Sequence, residues 1–276
     1  MQGITSGRVQ VLGIGARVSP AARLPEPWTL SWSDGARTWA GSGVSATLRA
    51  AGHVELLESV ARSEVVTEGG DARPPAPWFG GFAFDATAPV GRWWEAFPPG
   101  WALVPQLLLG SDGRTAELFA FARIDEHGPA AARERALAIL TQARARLEER
   151  SPAGAPPSGP PRLRPQDRTA WDALVSQALA DFESGVLKKV VLARAIELEA
   201  DAPLAVPLIR ERMRSIAGPA VGYELRAEDG TTLLGASPER LFTLEAGWLE
   251  TQALASSAAP GELDRLTGGH KEAREH

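Results

Sequence analysis

The run Val221-Gly222-Tyr223-Glu224-Leu225-Arg226-Ala227-Glu228-Asp229-Gly230-Thr231-Thr232-Leu233-Leu234-Gly235 sets an Asp-Gly pair between two stretches of strand-forming residues. Asp-Gly accepts the positive φ angles of a tight hairpin. The run therefore predicts two antiparallel strands, Val221 to Ala227 and Thr231 to Gly235. The dipeptide recurs at Asp34-Gly35 and Asp112-Gly113. Apolar flanks accompany both, Trp28 to Trp32 before the first and Ala116 to Arg123 after the second. Glu245-Ala246-Gly247 suggests a fourth turn, between Leu241 to Leu244 and Trp248 to Leu254. The chain is expected to be rich in antiparallel sheet.

Helices fill part of the remainder. Leu137, Leu140 and Leu147 recur on one face of the Ala- and Arg-rich segment from about 129 to 149. Trp171, Leu174, Val175, Ala178, Leu179 and Phe182 follow the spacing of a core-facing helix, with Asp167 placed to cap it after Pro165. A third helix is expected over roughly 203 to 215, with Pro207 near its start. The fold class is therefore α+β, mainly antiparallel sheets with helices packed on their faces. Residues 151–161, rich in Pro, Gly, Ala and Ser, can neither hold a helix nor bury a core, so they read as a surface linker. That linker, taken as 151–164, divides a Trp-rich N-terminal region at 1–150 from a C-terminal region at 165–276.

Composition narrows the functional classes. Of the 276 residues, 44% are hydrophobic and 23% charged, the range of a folded globular protein. A net charge of −5 argues against nucleic acid or an anionic membrane as partner. The absence of cysteine excludes disulfides and thiolate metal sites. The N-terminus lacks the basic start and apolar core of a secretory signal, and no run of 18 apolar residues occurs. A soluble cytoplasmic protein is expected.

The candidate chemistry lies in the C-terminal region. Lys188-Lys189-Val190-Val191-Leu192-Ala193-Arg194 reads as an apolar strand opened by lysines. Alternation would set Lys189 on one face with Val191 and Ala193, a partly dry setting that favours the neutral amine of a base. In Gly235-Ala236-Ser237-Pro238-Glu239-Arg240-Leu241-Phe242, Ser-Pro fixes a turn that holds the Glu239 carboxyl at a strand end. A positioned amine and a positioned carboxyl are the two halves of general acid–base catalysis. Glu275, in the terminal Lys271-Glu272-Ala273-Arg274-Glu275-His276, offers a hard oxygen ligand suited to Mg²⁺. Taken one at a time, each motif has a plain alternative: a solvated lysine, a turn glutamate paired with Arg240 or Arg194, a frayed end. No P-loop pattern is present, and the four histidines show no metal-ligand spacing.

Order and spacing add what the single motifs lack. Trp171, Phe182, Lys189-Val-Val-Leu-Ala-Arg194, Gly235 to Phe242 and Glu250-Thr-Gln-Ala-Leu-Ala255 together resemble the chorismate-binding enzymes, most closely the isochorismate synthases. A looser likeness upstream covers Trp78-Phe79-Gly80-Gly81-Phe82-Ala83-Phe84-Asp85, Trp94 and Phe97-Pro98. The resemblance implies the family's large layered fold and chorismate as substrate. It implies Lys189 as the base that activates water for attack at C2, Glu239 as the acid that protonates the departing C4 hydroxyl, and Glu275 as one ligand of Mg²⁺. Ser257 would supply the substrate-binding hydroxyl of the family's usual threonine, while Ser256 replaces its glycine and adds a side chain near the substrate. The family's pattern also continues past residue 276, where a further metal-binding glutamate and most carboxylate-binding groups would lie. The resemblance thus predicts an incomplete fold with unpaired strand edges. Salicylate synthase, or a family member without catalysis, are the alternatives it leaves.

Overall fold

The computed structural model describes residues 4–5, 9–68, 77–88, 91, 94–147, 161–164, 168–216, 218, 220–245 and 247–251. Two contact units emerge, residues 1–152 with 211–276, and residues 153–210.

The first unit is built on two sheets. Its strands are β1 (Ile4–Thr5), β2 (Gln10–Val18), β3 (Leu30–Ser33), β4 (Thr38–Ser42), β5 (Ala46–Ala50), β6 (Glu64–Glu68), β7 (Phe79–Phe82), β8 (Gly100–Val104), β9 (Leu107–Ser111) and β10 (Ala116–Arg123). Between β5 and β6 lies helix α1 (His53–Arg62), and after β10 comes α2 (Gly128–Arg144). In the second unit β11 (Arg162–Leu163) pairs with β12 (Leu198–Glu199), and α3 (Arg168–Glu183) lies between them in sequence. The division between the units falls within α4 (Val206–Ile216). The chain then adds β13 (Val221–Arg226), β14 (Thr232–Ser237), β15 (Thr243–Glu245) and β16 (Trp248–Glu250).

The larger sheet runs β14-β13-β3-β4-β9-β10-β2-β6, and the smaller one β1-β5-β8-β7. Pairing is antiparallel except at β2–β6 and β1–β5. All four expected turns join antiparallel pairs, and Gly35, Gly113, Gly230 and Gly247 hold φ of 85°, 82°, 91° and 84°. The aspartates contribute hydrogen bonds as well as backbone tolerance. Asp112 Oδ1 accepts from the N–H groups of Arg114 and Thr115 at 2.8 and 2.7 Å, and Asp34 Oδ1 accepts from Ala36 and Arg37. These bonds satisfy loop donors that a hairpin would otherwise leave to water.

Strand β10 organises the core because both its faces are covered. Phe119 and Phe121 point into a cluster with Val11, Leu30, Trp39, Leu48 and Val104, where residues of the two sheets meet; Leu56 of α1 joins it. Leu118, Ala120 and Ala122 face the other way, onto Ala132, Ala136, Leu140 and Ala143 of α2. Small residues on both partners let the helix axis approach the sheet closely. Each fully buried Phe or Leu here contributes roughly 1.5–3 kcal/mol. Gly110 stands opposite Trp39 in the β4–β9 ladder, and a Cβ there would run into the indole, so glycine makes room for the ring.

Two expectations about organisation are revised. Region 165–276 is not one contact unit, since β13 pairs with β3 and the hairpin after the linker extends the sheet begun before it. The face of α3 expected to meet a core is largely in solvent: only Ala178 is buried, while Leu174, Leu179 and Phe182 are exposed. The periodicity predicted the helix and its apolar stripe, but among the described residues of 153–210 that stripe stands largely uncovered. The expected cap Asp167 and most of the linker, 151–160, lie outside the described residues.

Candidate functional site

Lys189 follows α3 through a defined helix end. Ser184 N–H donates to the Ala180 carbonyl at 3.0 Å, and Gly185, at φ 75°, donates to Phe182 at 3.1 Å. This left-handed glycine closes the helix and reverses the chain. Leu187 N–H then bonds back to the Asp181 carbonyl at 3.1 Å, two residues before Lys189. At the far end, the Glu197 carbonyl accepts from Arg164 N–H at 3.0 Å, and Arg164 Nη1 reaches the Glu197 carboxylate at 3.1 Å. Between these points the Arg194 guanidinium carbon sits 5.6 Å from the centroid of the Trp171 ring.

The strand expected at 188–194 does not form; regular pairing begins only at Leu198. A strand persists when a neighbour satisfies its backbone N–H and C=O groups, and no described strand pairs with 188–197. Lys189 is consequently exposed, and Val191, expected to dry its flank, is 82% exposed.

Glu239 lies two residues beyond β14, as the Ser-Pro turn predicted. Ser237 Oγ donates to the Glu239 carbonyl at 3.0 Å and accepts from its N–H at 3.3 Å, so one hydroxyl holds the backbone of the carboxyl-bearing residue. Arg240 Nη1 donates to Thr243 Oγ1 at 3.1 Å. The Glu239 side chain is exposed. Lys189 belongs to the unit 153–210, and Glu239 to the unit built on the sheets. Ser257 and Glu275 lie outside the described residues. Among the described residues no three His, Asp or Glu side chains group as a metal site.

A feature without a role in the sequence reading is a cavity of about 370 Å³ in the sheet-bearing unit, walled by Phe82, Phe84, Trp94, Phe97, Trp101 and Leu233. It gathers Phe82, Phe84, Trp94 and Phe97, which belong to the looser upstream likeness in the sequence, together with Trp101. Asp85 on its wall accepts from the Thr87 hydroxyl at 2.7 Å and the Thr87 N–H at 2.8 Å, which holds its carboxyl below the usual value.

The chain belongs to the chorismate binding enzymes, whose family pattern matches residues 32–276. It is 32% identical over 206 residues to the salicylate biosynthesis isochorismate synthase of Pseudomonas aeruginosa, covering 72% of this chain and 41% of that one. To isochorismate synthase MenF of Bacillus subtilis it is 28% identical over 204 residues, covering 69% and 40%. The fold resembles the solved structure of MenF, the menaquinone-specific isochorismate synthase from Escherichia coli, with a TM-score of 0.64 at 18% identity. That likeness covers 97% of this chain and 61% of the other. The chain spans about two fifths of the length of these curated relatives. No helix among the described residues is long and apolar enough to cross a membrane.

Proposed function

We propose that this protein carries out isochorismate synthase chemistry, the conversion of chorismate to isochorismate. The observation that carries the reading is the ordered pair of motifs, Lys189 in Lys-Val-Val-Leu-Ala-Arg and Glu239 in Ser-Pro-Glu-Arg, inside the family match over 32–276. Relatives at about 30% identity bearing the isochorismate synthase name support it. Lys189 takes a proton from water as its oxygen bonds to C2. The ring double bonds shift, the C4–oxygen bond breaks, and Glu239 gives the departing hydroxyl a proton, so one water enters and one leaves. A lysine serves as base only as the neutral amine, which desolvation favours. Lys189 is exposed in the described structure, so this mechanism requires its surroundings to be covered during turnover. Mg²⁺ is proposed as a requirement, with Glu275 as a ligand and Ser257 as a substrate contact. A cytoplasmic location accompanies the reading.

The test is to incubate the full-length protein with chorismate, with and without Mg²⁺, and to resolve the products by chromatography. Isochorismate is expected; salicylate with pyruvate would identify the salicylate synthase alternative, and neither product would leave a family member without catalysis. Lys189→Ala and Glu239→Gln are each expected to cost at least about 10²–10⁴-fold in kcat. Full turnover in either variant would remove that residue from its role.

A further inference from the structure

The segment bearing Lys189 returns along the helix it has just left. Leu187 is tied to Asp181 near the C-terminal end of α3, and Arg194 lies against Trp171 near the N-terminal end. Residues 171 and 181 are separated by about 15 Å of helix, from a rise of about 1.5 Å per residue. The seven steps from 187 to 194 reach at most about 25 Å when extended, so the return path spans that distance with about 10 Å to spare. Without the Trp171 contact, the next tether after Leu187 is Glu197, and the free span grows from seven residues to ten (194 − 187 = 7; 197 − 187 = 10).

We propose that the Trp171–Arg194 contact is the positioning device for Lys189, pinning the return segment to α3 so that the amine is presented at a fixed point along the helix. The proposal rests on Lys189 being the base. Arg194 closes the same heptapeptide in which Lys189 is the second residue, five positions upstream. A guanidinium within about 6 Å of an indole centroid is attracted by the ring's negative face. Its flat, weakly hydrated group also stacks on the ring as an ammonium does not, so arginine and lysine are not equivalent here. Trp171 projects from a regular helix, which makes it a rigid anchor, whereas the segment it holds has no strand partner. Acid–base chemistry is sensitive to misplacement of about 1 Å, so a weak tether near the base controls rate more than affinity.

Backbone order parameters of residues 189–196 in the full-length protein test the clamp without relying on activity. Trp171→Ala and Arg194→Gln are each expected to lower them into the flexible range below about 0.6. Values in β10 should be unchanged, Trp171→Phe and Arg194→Lys should be intermediate, and the double variant should be no worse than the stronger single change. Unchanged order parameters at 189–196, or additive effects in the double variant, would overturn the clamp. With chorismate, Trp171→Ala is expected to lower kcat with KM within two-fold, and Trp171→Phe to restore part of it. A rise in KM alone would overturn the positioning role. If the order parameters fall but Lys189→Ala keeps full turnover, the clamp stands and the catalytic reading beneath it fails.

Discussion

Strand β10 and helix α3 both present apolar side chains at regular spacing, yet they meet opposite fates. In β10 every residue but Arg123 is buried, with phenylalanines against the second sheet and alanines against α2. In α3 only Ala178 is buried, and Leu179 is 57% exposed. The difference is not hydrophobicity but company: among the described residues, the first unit supplies two sheets and two helices to enclose β10, while 153–210 holds one helix, part of another and a two-residue strand pair. Periodicity says which face of an element wants covering. Whether a partner arrives to cover it depends on the rest of the chain.

Truncating one residue in each place should break the symmetry most plainly. Phe119→Ala is expected to destabilise the sheet-bearing unit by about 3–5 kcal/mol, read from denaturant unfolding. Leu179→Ala should change stability by about 0.5 kcal/mol or less, the range of exposed positions. Comparable losses at both sites would mean that α3 is enclosed in solution. Gly110→Ala comes next: its methyl meets the Trp39 ring, and a loss of about 1–3 kcal/mol is expected. A shift in near-ultraviolet dichroism should accompany it, and a neutral result would show that the indole has room to move.

The smallest effect concerns the turns. The N–H groups of Thr115 and Arg114 on Asp112 hold its carboxyl below the ordinary value of 3.8. Its stabilisation is therefore complete above that value and is lost as pH falls through the lower, folded value. Asp112→Ala should lower stability slightly at neutral pH, and the gap between variant and parent should close in acid. A gap that stays constant down to the acid transition would show that the carboxylate charge contributes nothing.

What could be read from sequence follows the range of the forces involved. The hairpins at Asp34-Gly35, Asp112-Gly113 and Asp229-Gly230 were legible because a turn is decided by the few residues within it. Helices α2 and α3 were legible because their spacing is local. Strands β2 and β6 and helix α1 carried no comparable turn signal, and β2–β6 pairs residues 54 apart, such as Gln10 with Glu64. At the candidate site, the Ser237 turn beneath Glu239 was foreseeable from Ser-Pro, whereas the strand at Lys189 was not formed, because a strand is a property of two segments. Trp171 was noted as a core position and as part of the family resemblance, but its contact with Arg194 depends on a chain reversal at Gly185 that no periodicity shows.

The two-sided burial of β10 has a consequence for how the chain avoids errors in assembly. In a half-exposed strand, a slip of one residue turns oily groups out to water, and water itself rejects the mistake. From Leu118 to Ala122 both sides are lined by apolar side chains, so polarity does little there to police the alignment. Volume does so instead: a one-residue slip would drive Phe119 and Phe121 against the alanines of α2 and leave gaps where the rings had been. The alternation of large and small along Phe119–Ala122 is thus a code written in size, and enlarging Ala120 or shrinking Phe121 would erase a letter of it.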